Sequence, residues 1–234
     1  RLNRKTVTQK QMSSHPAYIC VYDMLFDNGE DIRNLPLIQR RKRLEAWFEK
    51  NPQTRLTLSE ILESPTWDSV TSTRQKGADD HGHEGVMIKR KESVYVPGRP
   101  RGEWFKWKRN PFFVDAVMMY GQRGHGKRSS YYSDYTFGVW DGNNIVPIGK
   151  AYSGFTDEEL VLLDKFVRNN TVSRFGPVRE VKKELVLEIA FDSMQESTRH
   201  KSGIALRFPR IHRIRWDKPV QEVQSLSEIR REFL

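Results

Sequence analysis

The series of short apolar segments that follows Asn110-Pro111 constrains the fold of this chain more than any other sequence feature. Three segments rich in aromatic and β-branched residues come first: FFVDAVMMYG, DYTFGVWDG and NIVPIGKAY. A helical pattern, TDEELVLLDKFVRNN, comes next, and the segments ELVLEIAFD and GIALRFP add two more strands. Five short strands with one helix predict a small β-barrel of the OB type.

The sequence before Asn110 has a different pattern of predicted helices and strands, which predicts a separate domain. The segment AYICVYDMLF, residues 17–26, predicts a strand that ends at turn residues around Gly29. The segment LPLIQRRKRLEAWFEKN predicts an amphipathic helix with Arg and Lys opposite its apolar stripe. That stripe consists of Leu37, Ile38, Leu44, Trp47 and Phe48. We therefore predict an α+β protein with two domains, residues 1–109 and 110–234.

Charge and hydropathy narrow the classes of function. The chain has 40 Lys and Arg residues against 30 Asp and Glu residues, a formal net charge of +10, which favours a polyanionic partner such as nucleic acid. No apolar run approaches the roughly 18 residues that a membrane helix needs. We therefore expect no membrane partner and a cytoplasmic location. The single cysteine, Cys20, lies in an apolar run, which predicts a buried strand thiol.

Two short segments combine a carboxylate and lysines in a pattern that suits phosphate chemistry. In EGVMIKR, Glu84 precedes a predicted strand and Lys89 lies on it. A carboxylate can hold a divalent metal, and a lysine can contact phosphate. In WFKWK, the alternation of a strand places Trp104, Lys106 and Lys108 on one face. Two lysines on one strand face repel each other unless an anion lies between them, so they are candidate phosphate ligands; a solvated face is the alternative.

Two further segments are strongly basic. GQRGHGKRS, residues 121–129, has the glycine and lysine spacing of a phosphate-binding loop, but Arg128 stands where that loop needs Ser or Thr, and a predicted strand follows. We predict instead a loop that contacts a nucleic-acid backbone through Lys127 and Arg128. RFPRIHRIRWDK groups several arginines around Asp217 with apolar residues between them, which indicates a segment that docks on an anionic partner.

Taken in order, VYDMLFDNGE, EGVMIKR, WFKWK and RFPRIHRIRWDK resemble the third to sixth nucleotidyltransferase motifs of ATP-dependent DNA ligases. The connecting segments KRKESVYVPGRPRGEWFKWKRNP, DYTFGVWDG, AYSG and HKSGIALRFPR are similar to bacterial members of that family. The resemblance covers essentially the whole chain. It implies the C-terminal part of an adenylation (nucleotidyltransferase) domain in residues 1–109 and an OB-fold domain in residues 110–234. The implied activity seals nicked double-stranded DNA in repair, replication and recombination, through an enzyme-AMP adduct and then a DNA-adenylate.

The resemblance also implies residue roles in the first domain. Tyr22 matches the motif-three aromatic residue that stacks on adenine, and Glu84 matches the catalytic carboxylate associated with Mg²⁺. Lys106 and Lys108 match the motif-five lysines, which contact the AMP phosphate and act in catalysis. Lys89 corresponds to the last motif-four lysine and is a further nucleotide-binding candidate. ATP and Mg²⁺ are the implied cofactors.

In the second domain, the resemblance concerns the end of the basic segment. Arg215, Asp217 and Lys218 match the motif-six group that orients the pyrophosphate of ATP. Charge and loop position suggest a further set of DNA-backbone contacts. These candidates are Arg99, Arg101, Lys127, Arg128, Arg199 and Lys201.

The first motif of the family, Lys-x-Asp-Gly, is missing from this sequence. The nearest fragment is Trp140-Asp141-Gly142, which has Val139 in place of the lysine. Without that lysine no amine attacks ATP, so we expect that this chain alone does not self-adenylate. We expect a monomer, with the missing N-terminal part of the same protein as a candidate partner. Two alternatives stay open: a non-catalytic nucleic-acid-binding OB fragment, and a related RNA ligase or mRNA capping enzyme.

Overall fold

The computed structural model of this chain describes residues 6–81 and 83–234. Helices and strands are mixed throughout, which confirms the α+β class. The chain divides into two compact units, unit 1 ending at Arg109 and unit 2 beginning at Asn110. None of the helices in the described ranges combines the length and the apolar character needed to cross a membrane.

Unit 1 is built from short elements in separate pairs. Its helices are α1 (Gln9–Ser14), α2 (Leu37–Lys50) and α3 (Trp67–His81), and its strands are β1 (Ile19–Val21), β2 (Phe26–Asp27), β3 (Glu30–Asp31), β4 (Leu56–Leu58), β5 (Gly85–Lys89) and β6 (Trp104–Lys108). Strands β1 and β4 pair in parallel, whereas β2 with β3 and β5 with β6 pair antiparallel. The antiparallel pair of β5 and β6 carries Lys89, Lys106 and Lys108, and Tyr22 lies directly after β1.

The first predicted strand is shorter than residues 17–26. It ends at Val21, and just beyond it the Met24 amide donates to the Asp23 carboxylate at 2.9 Å. The predicted turn at Gly29 is confirmed: Asn28 and Gly29 have φ of 46° and 85°, the left-handed pair that a tight hairpin between β2 and β3 requires.

The prediction that Cys20 is buried was wrong. Cys20 is exposed, and its neighbours Tyr18 and Ile19 are exposed as well. β1 has β4 on one edge, and the described part of unit 1 places no layer of side chains over these residues. An apolar run therefore predicted the strand but not its burial.

The predicted amphipathic helix is confirmed as α2. One part of the prediction was wrong, because Arg40 and Arg41 are buried together with Leu44 instead of facing solvent. The helix begins after Pro36, which makes no side-chain cap. Its first amide, that of Leu37, donates instead to the carbonyl of Ser93 at 2.9 Å, which satisfies a donor that the helix start would leave unpaired.

Unit 2 is built around one sheet. Its helices are α4 (Asp157–Asn169) and α5 (Leu226–Phe233), and its strands are β7 (Phe112–Arg123), β8 (Tyr132–Asp141), β9 (Asn144–Ala151), β10 (Thr171–Phe175), β11 (Val178–Val181), β12 (Val186–Phe191), β13 (Ser193–Glu196), β14 (Ile204–Arg207) and β15 (Arg210–Arg215). Seven strands form the sheet in the order β10-β11-β7-β12-β15, with β8 bridging β7 and β9, and β13 pairs with β14 alone. The pairing recorded among the described residues does not close the sheet into a barrel.

The predicted strands and helix of unit 2 are present, and the sequence prediction missed the hairpin of β10 and β11, the strands β13 and β15, and helix α5. α4 begins at Thr156, whose side chain accepts from the Glu159 amide while the Glu159 side chain accepts from the Thr156 amide. The sheet and both helices enclose a continuous apolar core. Its largest fully buried apolar side chains include Tyr135, Phe137 and Phe191.

Candidate functional site

Strands β5 and β6 carry three of the residues predicted to contact the nucleotide, Lys89, Lys106 and Lys108. The register pairs Gly85 with Lys108, Met87 with Lys106 and Lys89 with Trp104. Residues directly opposite each other in an antiparallel pair share a face of the sheet. The structure therefore brings Lys89, Trp104, Lys106 and Lys108 to one face, and Lys106 and Lys108 are exposed there.

The start of β5 depends on a glycine. Gly85 has φ of +138°, and a Cβ atom built on it would lie 2.3 Å from the carbonyl oxygen of Trp107. No side chain fits there without moving the backbone of β6. Gly85 therefore permits the close approach of the two strands directly after Glu84.

Three side chains of unit 1 form a compact cluster that we call the aromatic cage: Tyr22, Lys89 and Trp104. The rings of Tyr22 and Trp104 meet edge to face with centroids 6.1 Å apart. The Lys89 ammonium lies over both rings, 4.2 Å from the Tyr22 centroid and 4.3 Å from the Trp104 centroid. Such cation–π contacts are attractive and grow stronger when water is displaced. Tyr22 remains 53% exposed, so part of this aromatic residue is accessible to a ligand.

The surroundings of Lys89 lower its pKa from the ordinary value of 10.5. Partial burial is the main cause, because it disfavours the charged form, and the nearby guanidinium groups of Arg41 and Arg40 act in the same direction. The Asp23 carboxylate opposes them. Lys89 is thus a lysine whose charge is weakly stabilised before any ligand arrives.

A buried ion pair lies behind the cage, and the sequence reading missed it. The fully buried Arg40 donates from Nε and Nη2 to the two carboxylate oxygens of Asp23, both at 2.9 Å. Its Nη1 donates to the carbonyls of Leu35 (2.5 Å) and Ser93 (3.1 Å). The pair fixes the residue that follows Tyr22. In sequence, a buried arginine on the polar face of a helix looks the same as a solvated arginine. Only the burial seen in the structure identifies Arg40 as part of an ion pair.

The opposite face of β6 is structural. Trp107 packs edge to face against Trp67 of α3 with centroids 6.1 Å apart, and the Arg74 guanidinium lies 4.8 Å from the Trp107 ring centroid. Arg74 also donates to the carbonyl of Lys108 at 2.7 Å. Helix α3 therefore supports the strand from behind and leaves the face with Lys106 and Lys108 open.

Glu84 lies directly before β5 and is exposed, and its carbonyl accepts from the Arg109 amide at 2.9 Å. The described residues contain no group of three or more His, Cys, Asp or Glu side chains that could hold a metal ion. Mg²⁺ is commonly held by one or two carboxylates together with substrate phosphates and water. Glu84 is thus a single exposed carboxylate directly before the strand pair that carries Lys89, Lys106 and Lys108.

In unit 2, Arg215, Asp217 and Lys218 belong to one network of charges. Arg215 donates to Asp217 from Nε (3.0 Å) and Nη2 (2.9 Å). Its Nη1 lies 3.4 Å from a carboxylate oxygen of Asp115, which also accepts from Lys218 at 2.7 Å. Asp115 lies on β7, about a hundred residues earlier, and the sequence reading did not connect it with this group.

The network shifts the titration of Arg215 and Asp217. Hydrogen bonds from the Arg215 side chain hold the pKa of Asp217 at about 2, below its ordinary value of 3.8. The same contact raises the pKa of Arg215. Because Glu188 lies 3.9 Å from Arg215 as well, three carboxylates balance the cations of this segment.

The predicted DNA-binding residues lie on three loops. Arg99 and Arg101 are exposed in the loop between β5 and β6 of unit 1. In unit 2, exposed Arg199 and Lys201 lie between β13 and β14. Lys127 and Arg128 lie in a 3-10 helix, Gly126–Arg128, between β7 and β8.

Arg128 differs from the other five candidates because its side chain is already engaged. It lies 5.2 Å from the Phe155 ring centroid and 3.4 Å from the Tyr152 carbonyl. With His125, Ser133, Asp134 and Tyr152 it lines a cavity of about 390 Å³. The phosphate-binding-loop alternative fails for residues 121–129, because a 3-10 helix of three residues and then β8 follow the glycines.

Comparisons with known proteins point to one family. A family model for the ATP dependent DNA ligase domain matches residues 1–108, and one for the ATP dependent DNA ligase C terminal region matches residues 128–218. A probable DNA ligase of Koribacter versatilis is 36% identical over 97% of this chain and 43% of its own length. A DNA ligase of Methanococcus aeolicus is 35% identical over 96% of this chain and 40% of its own length. The chain thus spans about two fifths of these curated relatives.

A solved structure from a study of Lig E DNA ligases, concerned with DNA binding with a minimal scaffold, has a TM-score of 0.57. It covers 84% of this chain and 62% of its own chain at 17% identity, so the likeness concerns the fold alone. The two family models together match most of the chain, in the order in which the two units occur. By these matches, the chain belongs to the family of ATP-dependent DNA ligases.

Proposed function

We propose that this chain supplies the nucleotide pocket and the DNA-binding domain of an enzyme that seals nicked double-stranded DNA with ATP. The observation that carries the proposal is the shared face of β5 and β6, where Lys89 and Trp104 of the aromatic cage lie with two exposed lysines, and Glu84 directly precedes β5. An aromatic ring, a row of cations and a single carboxylate are the groups that a nucleoside phosphate with a divalent ion requires.

Each residue of the pocket has a distinct proposed role. The adenine stacks on Tyr22, and Lys106 and Lys108 offset charge that develops on the α-phosphate and later on the phosphates at the nick. Lys89 has its ammonium over the Tyr22 ring in this structure. A nucleotide phosphate gives this weakly stabilised charge a partner, so Lys89 is a further phosphate contact.

Glu84 is the proposed ligand of Mg²⁺. When bound, that ion supplies Lewis-acid stabilisation of phosphate charge. The contribution of the chain is the position of the carboxylate, which the close approach of β5 and β6 at Gly85 sets.

We further propose that unit 2 is a barrel of the OB type. Its support is the approach of the sheet ends: the Ile211 amide of β15 donates to the Ser153 carbonyl, two residues beyond β9, at 3.0 Å. A Cβ atom on the next residue, Gly154, would lie 2.1 Å from the Ile211 carbonyl oxygen. Arg215, Asp217 and Lys218 would orient the pyrophosphate of ATP from this domain. The six basic residues on the three loops would contact the DNA backbone.

Adenylation needs a lysine nucleophile that this sequence does not place in a Lys-x-Asp-Gly motif. In this proposal, the chain binds and orients ATP and DNA, and the nucleophilic lysine lies outside the chain. Incubation of the 234-residue chain with α-labelled ATP should leave the protein unlabelled. A covalent label on the sequence-verified chain would contradict this part of the proposal.

Sealing of a pre-adenylated nick tests the pocket directly, because that step needs no lysine nucleophile. In the natural protein that contains this chain, Lys106→Ala should lower the single-turnover sealing rate roughly 100- to 1000-fold with little change in affinity for the nick. Lys91→Ala, which removes an exposed lysine outside the shared face, is the matched control. Wild-type sealing by Lys106→Ala would overturn the assignment.

The exposed arginines and lysines on loops of both units also favour a second candidate, a non-catalytic nucleic-acid-binding protein. The same assay separates the two functions. A binding protein would retain affinity for nicked DNA and would leave a pre-adenylated nick unsealed.

A further inference from the structure

One buried serine connects the structural parts of unit 1 to the aromatic cage. Ser93 is 3% exposed. Its hydroxyl donates to the Arg90 carbonyl at 2.7 Å and accepts from the Trp104 indole N–H at 3.1 Å. Its carbonyl accepts from the Leu37 amide (2.9 Å) and from Arg40 Nη1 (3.1 Å). Three of these four hydrogen bonds reach beyond the turn, to Trp104, Leu37 and Arg40.

The contacts of Ser93 join the two sides of the cage. On one side, Arg40 grips the carboxylate of Asp23, the residue that follows Tyr22. On the other side, the hydroxyl of Ser93 holds the indole of Trp104. Arg40 donates to the Ser93 carbonyl, so hydrogen bonds connect the Asp23 side chain through Arg40 and Ser93 to the ring of Trp104.

We infer that Ser93 is a positioning residue of the nucleotide pocket, which acts by holding Trp104 at the separation from Tyr22 that accommodates Lys89. The inference rests on the proposed function for its link to ATP. The torsion that turns an indole about its stem has broad minima, so packing alone fixes it poorly. The indole N–H is a donor with no acceptor capacity, and its one hydrogen bond therefore selects the ring orientation.

The serine hydroxyl suits this task because it donates and accepts at once. Alanine at position 93 would leave the Trp104 N–H and the Arg90 carbonyl without this partner, whereas the backbone contacts to Leu37 and Arg40 would remain. Threonine would keep the hydroxyl. Ser93→Ala and Ser93→Thr therefore separate the hydroxyl from the rest of the turn.

The first test is a double-mutant cycle on ATP binding, measured by calorimetry with the 234-residue chain. Ser93→Ala should weaken binding about five- to tenfold, the effect of one lost hydrogen bond between uncharged groups. Trp104→Phe should also weaken binding, and the double variant should be no weaker than Trp104→Phe. Ser93→Thr should bind nearly as the wild type does. Ser202→Ala, which alters a buried serine of unit 2, is the matched control and should bind normally.

The second test needs no nucleotide, which separates this inference from the proposed function. Loss of the indole contact should loosen the cage, admit water to Lys89 and move its pKa back toward the ordinary value, as followed by NMR of the lysine side chain. Its charged neighbours Asp23, Arg40 and Arg41 stay in place in Ser93→Ala, so they do not account for such a shift.

The outcomes are distinct. If the chain does not bind ATP, the proposed function is contradicted. The titration of Lys89 would still decide the role of Ser93. Additive effects in the cycle, or an unchanged Lys89 pKa in Ser93→Ala, would overturn the inference. A general loss of stability would lower the melting temperature without moving the Lys89 pKa at temperatures where the chain is folded, and that result counts against positioning.

Discussion

The two units of this chain are stabilised by different means. Among the described apolar side chains of unit 1, Ile32 and Leu44 alone are buried, whereas its buried polar residues include Arg40, Arg41 and Arg74. Unit 2 has a continuous core that extends over its sheet and both helices. Unit 1 therefore depends on a few hydrogen-bonded ion pairs, and unit 2 depends on buried apolar area.

The difference bears on the site. The aromatic cage, the lysine face and Glu84 all lie in the unit with little core. Exposed aromatic rings and unpaired strand edges are costly for stability but leave room for a ligand. Unit 1 is then the region whose stability should rise most when ligand binds.

The largest expected effect tests the core of unit 2. Phe137→Ala removes a fully buried ring and should lower the free energy of unfolding of unit 2 by about 4 kcal/mol, since a cavity replaces packed atoms. Hydrogen exchange of amides in each unit measures this separately. Phe175→Ala, at a 60% exposed phenylalanine of the same unit, should have a small effect; similar losses for both variants would break the comparison.

The next effect tests the ion pair of unit 1. Arg40→Met leaves the buried Asp23 carboxylate without its partner and should destabilise unit 1 by about 3 kcal/mol, measured by urea unfolding with exchange protection in each unit as the local probe. Arg33→Met breaks an exposed pair with Asp31, whose side chains are 42% and 44% exposed. That control should cost far less than Arg40→Met, because solvent screens an exposed pair. Equal costs would mean that burial of the pair is irrelevant.

A smaller effect concerns the junction of β5 and β6. Gly85→Ala introduces a Cβ atom 2.3 Å from a backbone oxygen and should destabilise the strand pair by about 2 kcal/mol. Exchange rates of β5 and β6 amides report it. Gly98→Ala also has positive φ, but nothing lies within 4 Å of its added atom, so it isolates backbone strain. If Gly85→Ala and Gly98→Ala lose hydrogen-exchange protection equally, the close approach of β5 and β6 is unimportant for stability.

The smallest effect should be the same in both units. Asp31 in unit 1 and Asp217 in unit 2 each have a pKa held at about 2 by an arginine two residues away. Because the pKa values are lowered on folding, each contact stabilises the fold above the ordinary value of 3.8 and is lost as the pH falls through about 2. Carboxyl NMR should show matching titrations, and Arg215→Gln should return Asp217 to near 3.8. A difference between Asp31 and Asp217 in the parent chain would mean that the surrounding unit, not the local pair, sets the pKa.

The elements that sequence predicted well are those with a strong local signal. The stripe of α2, the turn at Gly29 and the strands that carry Lys89, Lys106 and Lys108 all follow from periodicity and turn chemistry. The motif resemblance supplied the family, which the family models bear out. Roles of the individual residues remain predictions.

Other features required contacts between distant parts of the chain. Burial of Arg40 depends on Asp23, Leu35 and Ser93, and the exposure of Cys20 depends on what covers β1. Asp115 joins Lys218 across about a hundred residues. No local pattern distinguishes such polar residues from solvated ones.

By itself, the sequence determined the segments with strong local patterns, such as α2, α4 and the longer strands, the change of composition at Asn110, and the family that the chain resembles, because these depend on residue order over a few positions. Tertiary structure alone decided which charges are buried, which aromatic rings meet around Lys89 and which carboxylates hold Arg215. The physical reason is that burial and pairing free energies arise between residues that the fold, and not the sequence order, brings together.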